Sequence, residues 1–67
     1  MHLRINGKAE VLPERALTLD ELVTERGFVR GRIIVERNLR VIPREEWPSV
    51  YLEDQDEIEI VSFVGGG

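Results

Sequence analysis

Leu17-Thr18-Leu19-Asp20-Glu21-Leu22 is the stretch that decides how this chain folds. A threonine followed three residues later by a glutamate forms a capping box. The hydroxyl accepts an orphan N–H of the first helical turn, and the carboxylate reaches back to the N–H of the cap residue. Leu17 before the cap and Leu22 at the fourth helical position supply the matching hydrophobic staple. Asp20 and Glu21 lie at the positive end of the helix dipole and Arg26 at the negative end. Leu19, Leu22 and Val23 make one apolar stripe, and Gly27 is placed to close the helix with a left-handed residue. The spacing predicts a helix over 19–26. Alone it is too short to persist, so a sheet must lie beneath the stripe.

Strand patterns flank it on both sides. His2-Leu3-Arg4-Ile5 alternates polar and apolar, Asn6-Gly7 is a strong hairpin signal, and Lys8-Ala9-Glu10-Val11 alternates again. A strict two-residue loop would set Ile5 against Lys8 and Leu3 against Glu10, mixing core and solvent on one face. Pairing Ile5 with Ala9 and Leu3 with Val11 keeps a single apolar face. The expectation is therefore a three-residue connection or a bulge, with Met1, Leu3, Ile5 and Val11 toward the core. Pro13 ends the second strand.

Downstream of the helix, Arg30-Gly31-Arg32 turns the chain and Ile33-Ile34-Val35 reads as a strand. Glu36-Arg37-Asn38 reads as a turn, and Leu39-Arg40-Val41-Ile42 as a returning strand stopped by Pro43. Pro43 suits the first position of a single helical turn running to Trp47, the one tryptophan, whose expected role is packing. Val50-Tyr51-Leu52 is a short strand candidate. The last and longest strand is Glu57-Ile58-Glu59-Ile60-Val61-Ser62-Phe63-Val64, with Ile58 and Ile60 on the core parity and Glu59, Val61 and Phe63 on the other. One helix covers only one face of such a sheet, so Val61 and Phe63 are expected on an open face, as a docking patch.

Composition limits the chemistry. Sixty-seven residues make one domain, and a net charge of −4 argues against nucleic acid as a partner. The arginines crowding positions 26 to 44 read as solvated surface paired with nearby acids. Cysteine is absent and His2 is the one histidine, so no nucleophile–histidine set can be assembled with Ser49, Ser62, Thr18 or Thr24. The acidic run Glu53-Asp54-Gln55-Asp56 lacks the spacing of a calcium loop, and no metal site is expected. Met1-His2-Leu3-Arg4 does not open a signal peptide and no apolar run is long enough for a bilayer, which leaves a cytoplasmic location as the expectation.

The end of the sequence, Phe63-Val64-Gly65-Gly66-Gly67, takes an apolar strand into bare glycine. Glycine lacks a Cβ, so such an end passes through a narrow slot and presents an unhindered carboxylate. An ordinary frayed terminus is the competing reading of the glycines alone.

Hairpin, single helix, return strands and a protruding last strand resemble the ubiquitin-like β-grasp fold. That is an α+β class, with a mixed sheet of four to five strands and one main helix on one face. Val41-Ile42-Pro43-Arg44-Glu45-Glu46-Trp47, Asp54-Gln55-Asp56-Glu57-Ile58-Glu59-Ile60-Val61 and the glycine end look more specifically like the ThiS family of sulfur carriers in thiamine biosynthesis. The resemblance covers essentially the whole chain. One departure is Gln55, where the family often has glycine; if φ is positive there, Gln55 costs about 1 kcal/mol.

The resemblance implies a β-grasp domain over 1–64, a flexible glycine tail over 65–67, and no catalytic residues of its own. It implies that a ubiquitin-activating-like (ThiF-type) adenylyltransferase consumes ATP to adenylate the Gly67 carboxylate, with no cofactor held stably by the carrier. A persulfide donor, such as a cysteine desulfurase or rhodanese-type protein, would convert the adenylate to a thiocarboxylate, and thiazole synthase (ThiG type) would take the sulfur. Gly65 and Gly66 would thread into the partner, with Glu59, Val61, Phe63 and Val64 as its grip. Relatives of the same fold keep three rivals in view: the small subunit of molybdopterin synthase, a lysine-conjugated ubiquitin-like modifier, and a plain interaction module.

Overall fold

Asn6 and Gly7 turn the first hairpin at φ of 51° and 80°, the left-handed pair that a two-residue loop needs. In the computed structural model, which describes residues 1–63, strand β1 (His2–Ile5) therefore pairs with β2 (Lys8–Val11) in the register Ile5 to Lys8 and Leu3 to Glu10. This is the register the parity argument rejected. Val11 is 71% exposed, opposite His2 on the face away from the helix. The reason is electrostatic. Glu10, brought to the helix side of an edge strand, accepts hydrogen bonds from both terminal nitrogens of Arg26, with Nη1 at 3.0 Å from Oε2. That fork lets a carboxylate border the core, an outcome that counting apolar pairs misses.

Helix α1 (Leu19–Glu25) begins as its sequence requires. Glu21 N donates to Thr18 Oγ1 at 3.1 Å and Thr18 N donates to Glu21 Oε1 at 2.9 Å, so both halves of the capping box are made. Leu17 and Leu22 are buried as a staple. The helix ends one residue short of the expected limit, with Arg26 as the cap residue and Gly27 at φ 81°. Gly27 N donates to Thr24 O and Phe28 N to Val23 O, which together close the last turn as a Schellman motif.

Five strands form one sheet in the order β2-β1-β5-β3-β4, where β3 is Ile33–Arg37, β4 is Arg40–Val41 and β5 is Glu57–Ser62. Only β1 and β5 run parallel; the other pairings are antiparallel. Leu19, Leu22 and Val23 pack in the core with Leu3, Ile5, Ile33, Val35, Ile58 and Ile60. One face is thus covered by α1, as expected, and Ile58 and Ile60 hold the predicted parity.

Between the strands the chain departs from its sequence reading in three places. β3 runs on through Glu36 and Arg37, and the turn falls on Asn38 and Leu39, at φ 52° and 70°. Leu39, expected in a strand, is 83% exposed in a left-handed conformation that costs a side-chain-bearing residue about 1–2 kcal/mol. Next, a 3₁₀ helix over Arg44–Ser49 follows Pro43, which precedes the first turn instead of occupying it. Trp47 in that helix is buried and its Nε1 donates to Ile42 O at 2.9 Å, the packing role expected of it. Lastly, the segment at 50–52 is one bridge rather than a strand. Tyr51 opposes Thr18, with Leu19 N donating to Val50 O and Leu52 N to Leu17 O.

Candidate docking face and carrier end

Strand β5 carries two of the predicted grip residues, Glu59 and Val61, and alternation decides where they point. Ile58 and Ile60 are spent on the core, so Glu59 and Val61 face the uncovered side of the sheet. Val61 is 54% exposed and Phe63, just past the strand, is 42% exposed. Ile34 of β3 lies directly opposite Val61 and is 45% exposed, which adds a third apolar side chain to the patch. The sequence reading missed Ile34. Its signal was present in Ile33-Ile34-Val35, since a strand with two core residues two apart must show the middle one to the other face.

Beside the apolar patch the face turns acidic. Glu59 opposes Glu36 across the β3–β5 pair, and Glu57 follows on the same face. Like charges directly opposite cost a few tenths of a kcal/mol, and no ion pair to Glu36, Glu57 or Glu59 occurs among the described residues. Arg4 lies opposite Glu57 across the β1–β5 pair, so the acidic margin is centred on Glu36 and Glu59. Val64, Gly65, Gly66 and Gly67 lie outside the described residues. Phe63 N donates to Arg32 O at 3.0 Å, so the backbone is held by the residue just before β3 up to the point where those four residues begin.

The acidic turn that precedes β5 has a structural role. Asp56 is buried and its carboxylate accepts from Arg37 Nε at 2.9 Å, Asn38 Nδ2 at 2.9 Å and Glu53 N at 2.8 Å. Asn38 Oδ1 in turn accepts from Glu57 N, which ties the β3–β4 turn to the start of β5. Asp54 accepts from His2 N, a bond that holds its carboxyl below the usual aspartate range. Gln55 between them has φ 74°, the positive value at which a side chain costs about 1 kcal/mol. Among the described residues no group of three or more His, Cys, Asp or Glu is placed to hold a metal ion. No helix among them is long and apolar enough to cross a membrane.

Comparison with known proteins bears directly on this arrangement. The ThiS family model matches residues 3–67. The sulfur carrier protein ThiS of Bacillus subtilis is 40% identical over 65 residues, covering 97% of this chain and 98% of that protein. Thiazole synthases of Paramagnetospirillum magneticum and Magnetococcus marinus are each 37% identical over all 67 residues, yet the chain spans only 20% of the length of either. Among solved structures, the crystal structure of thiamine biosynthesis protein ThiS from Geobacter metallireducens superposes with a TM-score of 0.85 at 30% identity, covering 100% of both chains. With its β-grasp sheet, its single capped helix and a match that runs through the glycine end, this chain belongs to the ThiS family.

Proposed function

We propose that this protein is a sulfur carrier for thiazole formation in thiamine biosynthesis, and that its working group is the Gly67 carboxylate. The observation that carries the reading is the central strand β5, whose open face presents Val61 and Phe63 immediately before the glycine end. A docking patch and a reactive terminus on one strand let a partner hold the first while it works on the second.

A carboxylate is a poor electrophile, so activation must come first. In a ThiF-type adenylyltransferase the Gly67 carboxylate oxygen attacks the α-phosphate of ATP, and pyrophosphate leaves. A persulfide sulfur then displaces AMP from the acyl carbon, and cleavage of the resulting acyl disulfide by a thiol leaves the C-terminal thiocarboxylate. Thiazole synthase takes that sulfur. Two thiazole synthases that contain a stretch similar to this whole chain support the pairing of carrier and synthase. The carrier contributes no acid, base or nucleophile beyond its own terminus; the partners supply catalysis and consume the ATP.

Ordering Gly65, Gly66 and Gly67 in a partner channel costs about 1–2 kcal/mol per residue, or roughly 3–6 kcal/mol in all. The docking face must offset that cost. Deletion of Gly67, or Gly66→Val, is expected to leave the fold intact and abolish pyrophosphate release with a ThiF-type enzyme and ATP. Intact mass after addition of a sulfur source should show one oxygen exchanged for sulfur in the wild-type chain alone. Normal pyrophosphate release by either variant would refute the assignment of the chemistry to Gly67.

A further inference from the structure

The backbone of β5 points its hydrogen-bonding groups alternately to its two neighbours. Odd residues face β3: Phe63 N donates to Arg32 O, and Glu57 O accepts from Asn38 N. Even residues face β1: Asp56 O accepts from Arg4 N at 3.0 Å and Ile58 O from Asn6 N at 2.9 Å. There β1 ends, because the chain turns away at Asn6-Gly7. A side chain finishes one more rung, with Ile60 N donating to Asn6 Oδ1 at 2.7 Å. Beyond it β5 continues to Ser62 with an open edge. The C=O of Ile60 and the N–H and C=O of Ser62 point into the lane that β1 has left, and have no backbone partner among the described residues.

We infer that this open edge of β5 at Ile60 and Ser62 is a strand-addition site for an extended segment of the adenylating enzyme. The inference rests on the carrier reading above and specifies how the partner engages. The occupant follows from reach. Four residues come after Phe63 in the sequence, and fully extended they span roughly 13–14 Å. An enzyme that holds the Gly67 carboxylate in its site must therefore lie within that distance of the open edge. A second copy is the poorer occupant, since each copy carries a net charge of −4. Main-chain hydrogen bonds to a sheet edge supply affinity without demanding particular side chains, while the neighbouring Ile34, Val61 and Phe63 supply selectivity. The edge is short and Asn6 closes its first rung, which keeps it from templating longer pairing in the free protein.

Ser62→Pro tests the edge by removing one N–H. That N–H points away from β3, so no β3–β5 bond is lost, and proline is accepted where a strand's N–H faces solvent. Ser62→Ala controls for the hydroxyl. With a ThiF-type adenylyltransferase and ATP, Ser62→Ala, which keeps the N–H, sets the reference for binding and pyrophosphate release. Ser62→Pro should bind roughly 10- to 100-fold more weakly, as expected for a partner carbonyl left unpaired. Amide exchange on the wild-type chain gives a reading that needs no variant: the Ser62 amide should become protected in the complex. A wild-type chain that is adenylated while its Ser62 amide exchanges unchanged, or a folded Ser62→Pro that binds like Ser62→Ala, overturns the edge assignment and leaves the carrier reading standing. A concentration-dependent dimer that protects Ser62 without enzyme assigns the edge to a second copy and overturns it as well. A wild-type chain that no such enzyme adenylates refutes the carrier reading itself.

Discussion

Phe63→Ala tests the proposed docking role of the open face. The ring is 42% exposed at the end of the central strand, outside the buried core, and the bond that fixes its backbone runs from Phe63 N to Arg32 O and survives truncation. Taking about 200 Å² for a full phenylalanine side chain, roughly 80 Å² remains for a partner to cover, worth about 2 kcal/mol at 25 cal/mol per Å². That corresponds to about a 30-fold rise in Kd for the adenylating enzyme. Isothermal titration should register it. By the same arithmetic the roughly 120 Å² already covered within the chain is worth up to about 3 kcal/mol of stability, so urea unfolding is followed in parallel and Kd is read where the variant is folded. Val11→Ala is the control. Val11 is 71% exposed on the same face but sits on β2, two strands from β5, so its removal should leave Kd unchanged. A Phe63→Ala Kd within about threefold of wild type would remove this ring from the interface and refute the area argument.

Two further outcomes concern the frame that holds β5. Asp56→Ala strips the acceptors of Arg37 Nε, Asn38 Nδ2 and Glu53 N at once; the expected loss is about 3 kcal/mol in urea unfolding, against a total of about 3–10 kcal/mol for a chain this size, and a loss below about 1 kcal/mol would show the knot to be dispensable. Acid should also weaken the fold. Bonds from Arg26 to Glu10, from Thr18 N to Glu21 and from His2 N to Asp54 lower all three carboxyl pKa values in the folded chain. The unfolded chain then takes up protons first, so stability present near neutral pH is lost as pH falls below about 4–5 and through the folded values. Glu10→Gln should flatten that acid limb in urea midpoints measured across pH, and an unchanged limb would contradict the role given to the Glu10–Arg26 pair.

Features encoded within a few residues could be read from the sequence. The capping box at Thr18 and Glu21, the staple, the glycine closing α1 and the parity of Ile58 and Ile60 are each local, and each is found as expected. Pairings between distant residues were harder to read. Glu10 lies on the core side only because Arg26, sixteen positions on, reaches it, and no pattern within 8–11 announces that partner. Leu39 reads as strand because it is apolar and leads into Arg40-Val41-Ile42. Its turn is set by Asn38, whose side chain is pinned by Asp56 and Glu57 nearly twenty positions away. The exposed apolar patch was half legible: Val61 and Phe63 follow from alternation along one strand, whereas Ile34 needs the β3–β5 register. The open edge at Ser62 could not be read at all, since it depends on β1 stopping while β5 runs on.

The parallel pairing of β1 with β5 has a mechanical consequence. These are the first and last strands, side by side in the middle of the sheet. A pull on the residues beyond Phe63, resisted at the start of the chain, runs along both strands and slides one against the other. Rungs such as Arg4 N to Asp56 O, Asn6 N to Ile58 O and Gln55 N to His2 O must then fail together rather than one at a time. A partner can tug hard on the glycine end, seat it and let it go, and the domain behind it keeps its shape under load.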